Sequence, residues 1–391
     1  MKTALCVPSL PLSGIGTSIG IIRRGLLEAQ HDVDVVITSS EPGDDCERVM
    51  AEGWSIKHCG QDVRFMRDRL RRTLECLSSY DVIINNHSIE TQLVAPCLSH
   101  STVKISTMRG ITRSALELLS MNSRCFQAAV AISQEMKRVM TEAPGIKCPV
   151  FLVPNCTDVS NGGFSELKLP AKLAYVGRIR DYDKNIGIIP DIIKSLREQN
   201  IAHHMAIAGD GRDLEQLKIK IGHLNVGHNA TLYGKLSRDK ARAVIKESHF
   251  TLLPSFYEGL SNVMLEAMAL GSVPIASDLD NFKWVLGEEF DRLTSPVKHA
   301  DGYARRIVEL VSNPAEYGRI QQYLWKRQRT MFTPDVTVNG YLKLIDDIQV
   351  TLTPKRDKPP GLDQLRMPPK YARQCTQWWR LMQKARDRFR S

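Results

Sequence analysis

Two glutamates, Glu258 and Glu266, stand eight residues apart in the stretch PSFYEGLSNVMLEAMALG, residues 254–271. Glu258 lies in a glycine-containing turn, whereas Glu266 lies inside an almost unbroken apolar run that predicts a buried helix. A carboxylate can accept two hydroxyl hydrogen bonds, so this pair could hold two hydroxyl-rich parts of one extended ligand. No basic residue lies within a helical turn of Glu266. Because a buried carboxylate needs a partner, we expect a ligand to supply it, or water or a backbone donor when no ligand is bound.

Paired cations follow a predicted strand in GRIRDYDKN, residues 177–185. Arg178 offers a planar fork of donors and Lys184 a point charge, a combination suited to a diphosphate. The alternative is that both side chains form surface ion pairs with Asp181 and Asp183.

Glycines follow the first predicted strand in SGIGTSIG, residues 13–20. Gly14 and Gly16 would allow a ligand to approach the backbone closely. The amides at the start of the next helix would suit an anion. A simple tight turn is the alternative.

Two further turns follow predicted strands. We interpret AGDGRDLEQL (208–217) as mainly structural, with the backbone of Gly209 near a ligand. In ATLYGKLSRDK (230–240), Tyr233 could flank a base.

Short apolar runs alternate with helical patterns along most of the chain. This alternation predicts βαβ units and parallel sheets, and the residues 154–170 between its two halves are typical of a linker. Ligands bind such sheets at the carboxyl ends of the strands, so we expect two doubly wound domains that face a cleft. The predicted strands are 3–8, 33–38, 81–86, 103–107, 129–133, 172–177, 204–209, 230–234, 250–255 and 273–277, and the predicted helices include 19–30, 64–79, 186–199, 211–224 and 261–270.

Composition excludes several other classes of protein. The 391 residues are 42% hydrophobic and 25% charged, as in ordinary globular proteins. The nine cysteines are scattered without a CxxC pair, which argues against a disulfide framework or a zinc site. The first residues are too weakly apolar for a signal peptide, and no run approaches the length of a membrane span. We therefore expect a cytoplasmic protein.

The net charge of +10 is concentrated in a tail, residues 355–391, which holds eleven Lys/Arg and three Asp/Glu. Its apolar residues are spaced to form one stripe on a basic helix, as in helices that lie on membranes. A helix docked on this protein or on a partner is the alternative. A second basic segment, residues 64–72, could also meet an anionic membrane or be a solvated face. No nucleic-acid-binding motif accompanies the charge. The stripe consists of Tyr371, Cys375, Trp378, Met382, Ala385 and Phe389.

Together these motifs resemble the retaining GT-B glycosyltransferases of family 4, the glycosyl transferases group 1. The resemblance is carried by EGLSNVMLEAMALGSVPIAS, YVGRIRDYDKN, AGDGRDLEQL, LYGKLSRDK and the SGIG loop. It covers about residues 1–350 and is strongest over 172–280.

The resemblance implies a role for each residue of the motifs. Arg178 and Lys184 would hold the diphosphate and, with Glu258 at the donor sugar, form the catalytic set. Glu266 would bind the ribose hydroxyls. Anomeric retention is implied as well. The remaining donor contacts would be backbone amides at Leu260, Ser261 and Asn262, and Gly14 and Gly16 closing the diphosphate site from the N-terminal domain.

One departure from the family's pattern concerns a histidine that many relatives carry after the strand here written KISTMRG, residues 104–110. This chain has Arg109 at that point, and the nearest histidine is His87. We keep both as candidate site residues. No metal or other cofactor is expected, since the basic pair can neutralise a diphosphate. The DxD pairs, Asp181 with Asp183 and Asp278 with Asp280, are then chance occurrences.

The expected organisation is α/β, GT-B, with two Rossmann-like domains and a basic C-terminal helical extension. The domains are 1–157 on the acceptor side and 165–334 on the donor side, with a helix at about 335–352 crossing back to the first.

The expected activity is retaining transfer of a sugar from a nucleotide-diphosphate sugar to a hydroxyl of a glycan or lipid-linked acceptor. A UDP-sugar is favoured and GDP-mannose is second. The pathway would be synthesis of a bacterial surface polysaccharide or lipopolysaccharide, with the enzyme in the cytoplasm or peripheral at the inner face of the membrane. The alternatives are a nucleotide-sugar epimerase or a phosphorylase on the same fold, or a silent carbohydrate- or membrane-binding protein.

Overall fold

The structure, a computed structural model, describes residues 1–10, 14–63, 65–110, 112–159, 162–352 and 359–364. The chain forms two compact units. The first contains residues 1–132, 137–153 and those from 338 onward, and the second contains 133–136 and 154–337. The predicted amphipathic stripe of the tail, together with Ser13 and Arg64, lies outside the described residues.

A parallel sheet of seven strands forms the centre of the first unit, in the order β3-β2-β1-β4-β5-β6-β7. The strands are β1 (Lys2–Val7), β2 (Asp32–Ile37), β3 (Ile56–His58), β4 (Val82–Asn86), β5 (Val103–Met108), β6 (Ala128–Ala131) and β7 (Val150–Leu152). The helices between them are α1 (Gly14–Glu28), α2 (Cys46–Ala51), α3 (Met66–Leu77), α4 (Ile89–Val94), α5 (Arg113–Ser120) and α6 (Gln134–Glu142). Nearly all residues of β1, β2, β4, β5 and β6 are buried, because helices cover both faces of the sheet.

A parallel sheet of six strands forms the centre of the second unit, in the order β10-β9-β8-β11-β12-β13. The strands are β8 (Ala171–Val176), β9 (His203–Ala208), β10 (Ala230–Gly234), β11 (Phe250–Leu253), β12 (Val273–Ser277) and β13 (Thr294–Ser295). The helices are α7 (Asp181–Lys184), α8 (Ile189–Glu198), α9 (Leu214–His223), α10 (Arg238–Lys246), α11 (Asn262–Leu270), α12 (Asp280–Leu286), α13 (Phe290–Leu293), α14 (Ala300–Val311) and α15 (Pro314–Met331), followed by α16 (Pro334–Thr351).

In both sheets the strand order reverses beside the first strand of the unit, between β1 and β4 and between β8 and β11. At such a point the loops after the two neighbouring strands diverge and leave a crevice at the carboxyl ends. The prediction of two doubly wound α/β sheets is confirmed.

The last described helix contributes to the core of the first unit. Tyr341, Leu344 and Ile345 of α16 pack with residues of β1, β2 and α1. The hydroxyls of Tyr341 and Thr107 are 2.9 Å apart. Apart from residues 133–136, the two units divide at 153/154 and at 337/338, a few residues from the boundaries predicted at 157 and 334.

The predicted SGIG loop has a different conformation from the one expected. Gly14 is the first residue of α1 and Gly16 lies in its first turn, where it is buried. Neither glycine has a positive φ, so the backbone there is ordinary helix. Among the described helices, none is long and apolar enough to cross a membrane.

Candidate functional site

The switch point of the second sheet brings together two of the loops selected from the sequence. One follows β8 and contains Arg178 and Lys184, and the other follows β11 and contains Glu258. A backbone hydrogen bond of 2.9 Å from the Phe256 amide to the Asp183 carbonyl joins the two loops. The topology therefore places these side chains together at the carboxyl ends of the two central strands, β8 and β11, as expected for a ligand site in this fold.

An ion pair between Lys184 and Glu258 lies at these strand ends. The ammonium of Lys184 donates to Oε1 of Glu258, which also accepts a hydrogen bond of 3.1 Å from the hydroxyl of Ser255. The two charged side chains are only 18% and 14% exposed. The contact thus lies largely out of solvent, where charge interactions are stronger than at an open surface.

A second cluster adjoins this pair on α7 and the turn before it. Arg180 binds both carboxylate oxygens of Asp183, through Nε at 2.5 Å and through Nη2. Burial on its own would raise the pKa of Asp183, but the hydrogen bonds from Arg180 and the charges of Arg180, Lys184 and Arg178 lower it. Asp183 therefore remains a carboxylate at neutral pH and fixes the Arg180 side chain at the start of α7.

Arg178 is the more accessible member of the predicted cation pair. Its side chain is 65% exposed, and its Nη2 lies 3.6 Å from Oδ2 of Asp183. The alternative reading, ion pairing with Asp183, thus describes Arg178 in part, whereas Lys184 pairs with Glu258. Arg180 is a third cation at this strand end that the sequence analysis did not select. Its position next to Arg178 in GRIRDYDKN was the available signal.

The start of α11 is fixed by a side-chain cap. Ser261 is the N-cap, and its hydroxyl accepts a hydrogen bond from the Met264 amide. The side-chain oxygen of Asn262 accepts a hydrogen bond of 3.2 Å from the side-chain amide of Asn155. Leu260 is buried. The amides of the first helical turn lie beside the Glu258 turn, where they could bind an anion.

The carbonyl of Glu258 is held by a residue that the sequence analysis missed. The side-chain amide of Asn281 in α12 donates a hydrogen bond to this carbonyl. The side-chain oxygen of Asn281 accepts a hydrogen bond of 2.6 Å from the hydroxyl of Ser133. No local pattern marks Asn281, because it reaches the site from the helix after the next strand.

Glu266 has a partner within the chain, so the expectation of a ligand, water or backbone donor alone is wrong. Arg242 of α10 donates to Oε1 of Glu266 through Nε at 3.0 Å and through Nη2 at 2.8 Å. The Glu266 side chain is 13% exposed. The partner lies 24 residues earlier in the chain, beyond the helical turn that the sequence argument searched, because α10 and α11 pack side by side.

Asp158 extends this contact into a network of four charges. Its Oδ1 accepts a hydrogen bond of 2.5 Å from Nη2 of Arg242 and another of 2.7 Å from Nη2 of Arg238. Burial would raise the pKa of Asp158, but the Arg242 hydrogen bond and the two guanidinium charges lower it. Asp158 belongs to the segment interpreted as a linker, which is why its charge received no role in the sequence analysis.

Gly209 and Tyr233 lie at the ends of neighbouring strands. A Cβ at Gly209 would stand 1.8 Å from the Gly177 carbonyl, so the close approach of two chain segments requires glycine there. Tyr233 lies on the edge strand β10 and is 50% exposed. Their contacts with a nucleotide stay predictions.

His87 and Arg109, the candidates of the first unit, contact each other at the ends of β4 and β5. The Arg109 amide donates to Nε2 of His87 at 2.7 Å, and Nη2 of Arg109 donates to the side chain of Asn86 at 2.8 Å. Burial, reinforced by the charge of Arg109, lowers the pKa of His87 to about 4. His87 is therefore neutral at physiological pH. The predicted ligand contacts of Gly14 and Gly16, also in this unit, stay predictions.

The described residues contain no group of three or more His, Cys, Asp or Glu arranged to hold a metal ion. In the DxD pair of α7, the carboxylates are already engaged. Asp181 accepts a hydrogen bond of 2.8 Å from the Gly187 amide, and Asp183 binds Arg180. That no metal is required stays a prediction.

Three cations, Arg178, Arg180 and Lys184, therefore meet two carboxylates, Asp183 and Glu258, at the carboxyl ends of β8 and β11. The cations Arg178 and Lys184, with the amides at the start of α11, suit an anionic ligand. The carboxylates suit its hydroxyl groups. Such an arrangement can bind a phosphate-rich, hydroxyl-rich molecule and stabilise negative charge that develops on the phosphate.

Part of the chain matches a known protein family. Residues 165–327 match the family model described as glycosyl transferases group 1. The chain resembles "Uncharacterized glycosyltransferase MJ1607" of Methanocaldococcus jannaschii, with 29% identity over 357 residues that cover 80% of this chain and 90% of the relative. It is 31% identical over 153 residues to "Uncharacterized glycosyltransferase MJ1069" of the same organism, an alignment that spans only 38% of each chain.

A relative of named specificity comes from Escherichia coli. This is the "UDP-Gal:alpha-D-GlcNAc-diphosphoundecaprenol alpha-1,3-galactosyltransferase", 22% identical over 264 residues that cover 60% of this chain and 67% of the relative.

Among solved structures, Anabaena Alr3699/HepE in complex with UDP superposes with a TM-score of 0.75 at 12% identity, over 89% of this chain and 100% of that chain. At this level of identity the likeness shows the fold. The matched segment contains Arg178, Lys184, Glu258 and Glu266, and it begins seven residues after Asp158. That segment matches the glycosyl transferases group 1, and the fold of the chain is that of the GT-B glycosyltransferases.

Proposed function

We propose that this protein is a retaining glycosyltransferase that moves a sugar from a nucleotide-diphosphate sugar to a hydroxyl of a glycan or lipid-linked acceptor. The observation that carries the proposal is the Lys184–Glu258 pair at the switch point of the second sheet, with Arg178 and Arg180 beside it. One site thus combines cations for a diphosphate with a carboxylate for sugar hydroxyls.

The chemistry asks mainly for stabilisation of the leaving group. When the bond between the sugar and the diphosphate breaks, negative charge grows on the diphosphate oxygens. Lys184 and Arg178 supply positive charge at fixed positions, so little reorganisation is needed at that moment. Glu258 holds hydroxyls of the donor sugar, and Glu266 accepts hydrogen bonds from the ribose.

The donor that we favour is a UDP-sugar, with GDP-mannose second. In support, the Anabaena neighbour is described in complex with UDP and with UDP-glucose, and the Escherichia coli relative is named for UDP-Gal. That relative is also named for a diphosphoundecaprenol acceptor, which supports a lipid-linked acceptor and a role in bacterial surface polysaccharide or lipopolysaccharide synthesis. We expect no metal requirement, because three cations already face the site.

The test is a thermal-shift panel of UDP-, GDP- and ADP-sugars with the full chain, with and without a metal chelator. At a ligand concentration of 100 times Kd, binding stabilises the folded state by about 2.7 kcal/mol, which is readily detected. We expect one nucleotide class, UDP first, to raise the Tm, and the chelator to leave the shift unchanged.

The variant for this panel is the double substitution Arg178→Ala and Lys184→Ala, which should abolish the shift. Lys218→Ala is the matched control, since Lys218 is 50% exposed and pairs only with Glu215 among the described residues. No shift with any nucleotide sugar would contradict the proposal, and a shift that survives the double substitution would remove the diphosphate assignment.

A further inference from the structure

Helix α11 is buried on all sides except one narrow face. Asn262, Val263 and Glu266 are its only partly exposed residues, and they are spaced so that they lie on one side of the helix. The rest of the helix is apolar and packed, so its backbone cannot shift to adjust the position of Glu266. What remains free to vary is the rotamer of the Glu266 side chain.

Arg242 removes much of that freedom by binding one carboxylate oxygen only. Its Nε and Nη2 both donate to Oε1, at 3.0 and 2.8 Å. Oε2 of Glu266 accepts no hydrogen bond from the residues that the structure describes. One oxygen is thus used for anchoring, and the other retains its capacity to accept hydrogen bonds from hydroxyl groups.

Arg242 is in turn fixed from the other side. Its Nη2 also donates to Oδ1 of Asp158 at 2.5 Å, and a guanidinium nitrogen has two hydrogens for these two acceptors. Burial on its own would lower the pKa of Arg242, but the charges of Glu266 and Asp158 raise it, so the network stays ionised. Arg238 completes it by binding Asp158 at 2.7 Å, while its Nε stays 4.0 Å from Glu266.

We propose that Arg242 is a positioning residue of the nucleotide site, which anchors Glu266 through Oε1 and, supported by Asp158, presents Oε2 to a ribose hydroxyl. The inference rests on the proposed function, because it assumes a nucleotide ligand. It adds two residues, Arg242 and Asp158, that act through Glu266 rather than by touching the reacting atoms. A ribose that lacks its hydroxyls would leave Oε2 without its hydrogen bonds.

The experiment measures Kd by titration calorimetry for UDP and for 2′,3′-dideoxy-UDP, with GDP and its dideoxy form in parallel. A hydrogen bond to a charged group contributes about tenfold to hundredfold in affinity, so the wild-type chain should bind the dideoxy form more weakly by that factor. Glu266→Gln and Arg242→Ala should each reduce this ratio to less than about threefold. The double variant Glu266→Gln, Arg242→Ala should show no further decrease in this ratio, as expected when two residues act as one unit.

Arg242→Lys should restore part of the ratio, since it returns a charge but not the two parallel donors. Arg319→Ala is the matched control, because it breaks a comparable contact of 2.9 Å with the buried Glu289 elsewhere in the same unit. It should change stability but leave the ratio unchanged. If Arg242→Ala does not fold, Asp158→Asn serves instead and should lower the ratio several-fold.

Two outcomes separate this inference from the function on which it rests. If the wild-type chain binds neither nucleotide, the proposed function and this inference both fail. If the wild-type chain binds and discriminates, but Arg242→Ala or Asp158→Asn discriminates equally well, the positioning role is overturned while the proposed function stands.

Discussion

Lys184 and Glu258 form an ion pair with each other. In the proposed function, a diphosphate that approaches Lys184 would share the ammonium with Glu258 or displace Glu258 from it, and sugar hydroxyls could then bind the carboxylate. The pair would thus connect the diphosphate and the sugar of the donor. Lys184 would then both stabilise charge and orient the sugar.

The substitution Lys184→Ala tests this role. Removing one preorganised donor from a transition-state charge commonly lowers turnover by about 100- to 1000-fold, and we expect a loss of that size in kcat/KM with the donor found in the panel. Glu258 would also lose its partner, which should lower the free energy of unfolding by about 1–3 kcal/mol. Steady-state kinetics and urea unfolding measure the two effects, with Lys218→Ala as control. A loss in kcat/KM of less than tenfold would contradict the assignment.

Residues of the candidate site were predictable from the sequence where a charged side chain lies in the segment that follows a predicted strand. Arg178, Lys184 and Glu258 lie in the segments that follow β8 and β11, so their place at the carboxyl ends of these strands follows from the fold. The place of Glu266 in an apolar helix was predictable from its sequence, but its partner Arg242 was not. A helix-to-helix contact between two βα units depends on packing geometry, and the search within one helical turn could not reach it.

At the scale of elements, strands were predictable where an apolar run was continuous. All ten predicted strands are present, with ends that differ by at most two residues. The three that were missed, β3, β7 and β13, are two or three residues long and lie at or beside sheet edges. Short edge strands have little hydrophobic pattern, because their pairing depends on a neighbour that the local sequence does not contain.

Helix α3 presents basic side chains on the side that faces away from the core of the first unit. Leu70, Thr73 and Leu77 bury one side of it, and Arg69 is bound to the buried Glu90 at 3.1 Å. Beside Glu75, the opposite side exposes three of the basic residues of the segment 64–72. These exposed residues are Arg67, Arg71 and Arg72.

We therefore predict that the full chain sediments with vesicles of anionic phospholipid and that the triple variant Arg67→Gln, Arg71→Gln, Arg72→Gln does so more weakly. Each basic side chain near such a surface contributes about 1 kcal/mol, so three together correspond to about a hundredfold in partitioning. Deletion of residues 355–391, which removes eleven Lys/Arg, should weaken binding further.

Two comparisons make this membrane prediction decisive. Vesicles of neutral lipid are the control for charge, and Arg113→Gln, a substitution at a 94% exposed arginine on another helix of the first unit, is the control for loss of a single surface cation. If the triple variant sediments as well as the wild-type chain, α3 is not the membrane-facing element.

At the scale of the whole molecule, the same reversal of strand order occurs in both units. Each unit has a parallel sheet whose strand order reverses beside its first strand. In the second unit this reversal gathers Arg178, Lys184 and Glu258, and in the first it leaves His87 and Arg109 at neighbouring strand ends. The doubly wound class was predictable because alternating strands and helices admit few other arrangements. The conformation of Gly14 and Gly16 was not, since a glycine pair is compatible with both a loop and a helix start.

The central claim is that this chain transfers a sugar from a nucleotide-diphosphate donor with retention of its anomeric configuration. The most direct measurement is proton NMR of the first product formed from an α-linked UDP-sugar or GDP-mannose, with glycan, lipid-linked or water acceptors. The account predicts release of the nucleoside diphosphate together with an α-configured product. A β-configured first product would contradict retention, and a failure to release nucleotide from any donor that binds would contradict the claim of transfer itself.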